Sequence, residues 1–140
     1  MTAPGTIAVG YDGSPDARSA VAWAARVAVA LGARLHVVHA VGLLERAGLA
    51  GHSDVDGDVA LKIAMEAGLD PRDVEWSVVD GDPCSALLRM AESPEAAAML
   101  VVGSRGSGAH AGTLIGSTSL ELAEHARVPV TIVPSSYRSG

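Results

Sequence analysis

The chain reads as an α/β protein: one domain of three layers, with helices on both faces of a mostly parallel sheet. Three observations carry this. Five short apolar runs alternate with four stretches whose apolar residues recur at helical spacing. Helix-capping residues open several of those stretches, and turn-forming residues separate the runs. Strands alternating with helices imply βαβ units, and those units build a parallel sheet.

Each element has its own signal. "TIAVGYD" is the first strand, ending at Asp12. "GSPDARSAVAWAARVAVALG" follows as a helix, with Ser14 as N-cap, Pro15 at the first helical position and Gly32 past the end. Ala17, Ala20, Val21, Ala24, Val27, Ala28 and Leu31 share one face, which predicts burial. "ARLHVVHAV" is the second strand. Residues 42 to 70 carry the weakest pattern, a loop-like "GLLERAGLAGHSDVDG" and then a helix through "DVALKIAMEAG". "VEWSVVDG" is the third strand, and "DPCSALLRMAE" is a helix capped by Asp82 with Pro83 behind it. "AAAMLVVGS", "STSLELAEHA" and "VPVTIVP" complete the series as strand, helix and strand. The terminal "SSYRSG" reads as a soft tail.

Composition narrows the partners. A 140-residue chain that is 49% hydrophobic suits a single domain, taken as 1–140 with a core of about 5–134. The net charge is -6, with Lys62 the one lysine, so no basic face for nucleic acid is expected. Two Trp, two Tyr and no Phe leave few platforms for base stacking. The single cysteine, Cys84, excludes an internal disulfide framework and suits a reducing compartment. No signal-length apolar core opens the chain, and Arg26 and Arg34 break its longest apolar reach, so a cytoplasmic location off the membrane is expected.

The segment "VVGSRGSGAHAGTLIGSTS" holds five glycines in the fourteen residues from Gly103 to Gly116. Glycines on that scale imply tight turns or a close approach to a ligand. A Walker A loop fails here, because no lysine lies near the last glycine to reach a phosphate. A dinucleotide fingerprint through Gly106, Gly108 and Ala111 lacks the first-strand context and the downstream acid. Gly103, Gly106, Gly116 and Ser117 instead satisfy G-x2-G-x9-G-[ST], between a strand and a helix.

At this point the chain resembles the universal stress protein family. "AVGYDGSPDARSAVAWA", "VVDGDPCSALLRMA", "VVGSRGSGAHAGTLIGSTS" and "ARVPVTIVP" look like that family's blocks, in its order. The resemblance covers essentially the whole chain and is weakest between residues 42 and 70. It implies a five-stranded parallel sheet of order 3-2-1-4-5, Rossmann-like and of the adenine nucleotide alpha hydrolase type. It also implies that chains keeping the glycine pattern bind ATP or another adenine nucleotide.

Carried over residue by residue, the resemblance places base or ribose on Asp12, with Gly10 nearby and Ala40 and Val41 as the adenine wall. The same Asp12 also reads as an Asx turn leading into the Ser14 cap. Gly103 and Gly106 would bring backbone amides to the phosphates, and Arg105 would meet phosphate or solvent. Gly116, Ser117, Thr118 and Ser119 open a helix whose amides favour an anion. Thr118 and Glu121 also form a T-x-x-E capping box. No catalytic set and no protein-built metal site is readable. His36, His39 and His125 read as structural, and Mg²⁺ would arrive with the phosphates. Cys84 admits two readings, a thiol activated at a helix start or an inert buried side chain.

The function expected is a nucleotide-binding stress-response regulator, with slow ATP hydrolysis as the most enzymatic version. The alternatives are a nucleotide-independent dimeric interaction module and a binder of AMP or cyclic AMP. A homodimer is expected through the last strand, from Val128 to Val133, because an apolar edge strand pairs or aggregates.

Overall fold

The computed structural model describes residues 5–42, 55–92, 96–105 and 116–138. Among the described residues, ten elements follow in order: β1 (Thr6–Gly10), α1 (Pro15–Leu31), β2 (Arg34–Val41), α2 (Gly57–Glu66), a 3-10 turn (Pro71–Asp73), β3 (Val74–Asp80), α3 (Pro83–Met90), β4 (Met99–Gly103), α4 (Ser117–His125) and β5 (Val130–Val133). The five strands form one sheet in the order β3-β2-β1-β4-β5. Every pairing is parallel, with Val9 opposite both Val37 and Val101.

The strands alternate their side chains between two cores. Ile7, Val9, Leu35, Val37 and Val101 face α1 and α2, while Ala8, Val38, Leu100 and Val102 face α3 and α4. That alternation is what a sheet covered on both sides requires. Helix α1 buries Ala17, Ala20, Val21, Ala24, Ala25 and Ala28. Five of those six are alanines, so its backbone lies close to the sheet.

The signals of α1 hold at both ends. The Ser14 hydroxyl accepts from the Ala17 amide at 3.2 Å, and Gly32 closes the helix at φ 67°. A left-handed residue there favours glycine, and a capping hydroxyl contributes about 1 kcal/mol. Asp82 caps α3 as expected, accepting from the Ser85 amide at 3.1 Å. Asp56 caps α2 from within the stretch whose pattern reads as a loop.

Two expectations fail locally. Thr118 and Glu121 form no capping box: α4 starts two residues earlier than that box needs, Gly116 is the N-cap, and it makes no side-chain cap bond. Nor is the tail soft through residue 138. The Tyr137 amide donates to Pro134 at 3.0 Å, and its ring packs against the α1-side core.

Candidate functional site

Strand β1 lies between β2 and β4, so the chain reverses direction across the sheet at that point. Parallel α/β sheets take ligands at the carboxyl ends of strands around such a reversal. This edge gathers Asp12, just past β1, Ala40 and Val41, ending β2, and Gly103 to Arg105, leaving β4. Helix α4 begins beside the β4 exit, because the Gly116 amide donates to the Ser104 carbonyl. Gly106 lies outside the described residues.

The side chains divide into those already engaged and those left open. Asp12 accepts from the Ser14 amide at 2.9 Å, the Asx turn read from the sequence. The space above Gly10 is filled: a Cβ there would stand 3.0 Å from Leu87 Cδ1. Ala40 packs toward the α3 side, and the Val41 carbonyl accepts from the Gly81 amide at 3.1 Å.

Gly103 is explained by packing. A Cβ on it would lie 2.7 Å from the backbone carbon and oxygen of Asp16, so glycine is needed for β4 to pass the start of α1. The space freed by its missing side chain is therefore taken by α1. The amides that follow are engaged too. Ser104 donates to Val133 at 2.9 Å, and Arg105 donates to Asp16 Oδ2 at 3.1 Å. Ser119 is buried, and its hydroxyl donates to the Gly103 carbonyl at 2.8 Å, pinning α4 to the strand end.

The first turn of α4 lacks a side-chain cap from its own N-cap residue. Gly116 has φ -75° and ψ 163°, ordinary extended backbone, so the position needs no left-handed conformation. Its lack of a side chain is what counts, because as N-cap it offers no side-chain oxygen to the first amides of α4. No acid lies in that turn. Uncapped helix amides aligned with the helix dipole favour an anion.

Three residues unremarked in the sequence reading organise this edge. Asp16, Ser104 and Ser135 are joined by Ser104 Oγ to Asp16 Oδ2 at 3.2 Å and Ser135 Oγ to Asp16 Oδ2 at 2.8 Å. An acid in the first turn of α1 reads locally as a helix-dipole partner, and no local signal says that it reaches two strand exits.

Cys84 is a buried free thiol. Burial first, then a hydrogen bond to Glu121 and the charges of Glu121 and Asp82, push it up to about 11. The activated reading is thereby corrected, since a helix start lowers a thiol only if burial and nearby acids do not outweigh it. Two of the histidines have partners within the fold: His36 Nε2 meets Ser77 Oγ at 2.7 Å, and His39 Nδ1 donates to the Tyr11 carbonyl at 3.0 Å.

The universal stress protein family model matches residues 4–134. The chain belongs to the universal stress protein family. A universal stress protein of Mycobacterium bovis is 32% identical over 157 residues, covering 94% of this chain and 49% of its own. This universal stress protein thus spans about half the length of that curated relative. A universal stress protein solved in complex with cAMP is 32% identical, with TM-score 0.73, covering 94% of this chain and 98% of its own. One from Archaeoglobus fulgidus, solved in complex with dAMP, has TM-score 0.66 at 21% identity, covering 94% and 99%. The latter likeness speaks to the fold. Among the described residues, no helix is long and apolar enough to cross a membrane.

Proposed function

We propose that this universal stress protein binds an adenine nucleotide, with ATP as the leading candidate, at the carboxyl edge where β1 meets β4. Occupancy would set its conformation or partners in a stress response. The observation that carries the reading is the start of α4, whose N-cap Gly116 makes no side-chain cap and whose first turn has no acid, at the same sheet edge as the Asp12 turn. Amides of Ser117, Thr118 and Ser119 would take phosphate oxygens, with Gly106 and Arg105 nearby and Mg²⁺ arriving on the phosphates. Asp12 would take base or ribose, with the Gly10 backbone nearby and Ala40 and Val41 as the adenine wall.

The test is mass spectrometry of whatever co-purifies, followed by calorimetric titration of ATP, AMP and cyclic AMP. At least one should bind, and Asp12→Ala should weaken every binder by a similar factor, because base and ribose are common to all. Failure of all three leaves the nucleotide-independent interaction module. A second reading, that cyclic AMP or AMP outranks ATP, is favoured by the 32% identical relative solved with cAMP.

A homodimer through β5 belongs to the same proposal. β5 closes the sheet order, and Val130, Thr131 and Ile132 are only partly buried. Light scattering should report two copies, and Thr131→Pro, which removes a ladder donor, should shift the population toward monomer. The single free cysteine supports a cytoplasmic setting.

A further inference from the structure

On the α1 side of this edge, several donors converge on one carboxylate oxygen. Asp16 Oδ2 accepts from the Arg105 amide at 3.1 Å, the Ser104 hydroxyl at 3.2 Å and the Ser135 hydroxyl at 2.8 Å. Arg105 Nε stands 3.8 Å from the same oxygen, and Arg105 Nη2 donates to Ser135 Oγ at 3.0 Å. The Ser135 hydroxyl thus relays the guanidinium to the carboxylate. Asp16 is 14% exposed and Arg105 39%, so water screens this contact less than it would a surface pair. An amide, two hydroxyls and a guanidinium are the donors a phosphate draws. Here the chain supplies the anion itself.

We propose that Asp16 is the resident counter-ion of Arg105, holding the guanidinium toward α1 and Ser135 and so setting how strongly the nucleotide site responds to phosphate number. The inference rests on the nucleotide reading above. To reach a phosphate chain, Arg105 must give up Ser135 and leave Asp16 uncompensated. The additional phosphates of ATP therefore gain little from it over the single phosphate of AMP. Asp16 touches no nucleotide in this account and acts only through Arg105, as a positioning residue.

The experiment titrates ATP and AMP into the full chain as parent, Asp16→Asn, Arg105→Ala and the double variant, at low and at physiological salt. Asp16→Asn keeps the shape and removes the charge. It should raise the ratio of ATP to AMP affinity by about fivefold, a typical strength for one partly exposed ion pair, with a steeper salt dependence. In the double variant the ratio should return to that of Arg105→Ala alone. A ratio is insensitive to a uniform loss of folded protein, so a purely structural role for Asp16 leaves it unchanged and overturns the proposal. A rise that persists without Arg105 overturns it as well.

A ligand-free measurement separates this inference from the nucleotide reading. In the parent, the Arg105 Nε–H resonance should be distinct from the free-arginine position, and Ser135→Ala should move it toward that position. A parent resonance already at the free-arginine position overturns the counter-ion whatever binds. A displaced resonance in a chain that binds neither nucleotide upholds the contact but overturns both the nucleotide reading and the role in phosphate selection.

Discussion

Helices α1 and α4 both begin at the carboxyl edge of the sheet, and they begin in opposite ways. At α1 the Ser14 hydroxyl caps, Pro15 removes a donor, and Asp16 adds a carboxylate that gathers the exits of β4 and β5. At α4 the cap is Gly116, the next three residues are Ser117, Thr118 and Ser119, and no acid is present. Both ends carry the same backbone dipole. The difference is who supplies the negative charge: α1 brings its own, and the cap and first turn of α4 bring none. Helices α2 and α3, capped by Asp56 and Asp82, resemble α1 in this respect.

Closing the open end should have the largest effect. Gly116→Asp places a capping carboxylate where the phosphates are proposed to sit. Affinity for ATP should fall by about a hundredfold, the loss of a charge-assisted contact with repulsion added, while melting stays level or rises by a few tenths of a kcal/mol. Calorimetry and thermal melting on one preparation check both halves. An unchanged affinity would mean that the α4 start is not the anion site.

Wedging the closed end comes next. Gly103→Ala puts a Cβ 2.7 Å from backbone atoms of Asp16, where no flexible side chain can yield. The expected cost is about 1–3 kcal/mol in denaturant unfolding, the usual price of overpacking. If the variant unfolds at the parental midpoint, α1 and β4 are less tightly apposed than described.

Ser119→Ala should cost less, about 1 kcal/mol, by leaving the Gly103 carbonyl without its donor in a buried place. Because Ser119 ties α4 to β4, nucleotide affinity should fall with it, whereas Thr118→Ala, at a half-buried position, should cost only about 0.5 kcal/mol.

The smallest effect sharpens the contrast at a third helix start. The Cys84 thiol is raised from an ordinary 9.0 to about 11. Folding therefore favours its protonated form, a contribution present in full below pH 9 and lost as pH climbs toward 11. Cys84→Ser should flatten the fall in melting temperature over that window. In the folded parent at neutral pH, alkylation of Cys84 should be far slower than in the unfolded chain.

Several elements were legible from the sequence because their causes are local. Ser14, Pro15 and Gly32 delimit α1 through capping and φ preference, and Asp82 with Pro83 starts α3 the same way. The alternation of five strands with four helices sets a parallel, doubly covered sheet through pattern alone. By contrast, the composition of the site edge needed the tertiary structure. Asp16 and Ser135 are separated by 119 positions and meet at 2.8 Å only because β4 and β5 lie side by side in front of α1. Gly103 reads from the sequence as a ligand-facing glycine, and only the tertiary structure adds that the close passage of α1 also requires glycine there. The T-x-x-E pattern at Thr118 and Glu121 failed for a related reason. A hydrogen bond from the Gly116 amide to the Ser104 carbonyl sets where α4 begins, and Glu121 turns to Cys84 on a neighbouring helix. Local sequence determines what a segment can start, turn or bury. Which carboxylate meets which amide is decided by strand order, because long-range contacts exist only after the sheet has been assembled.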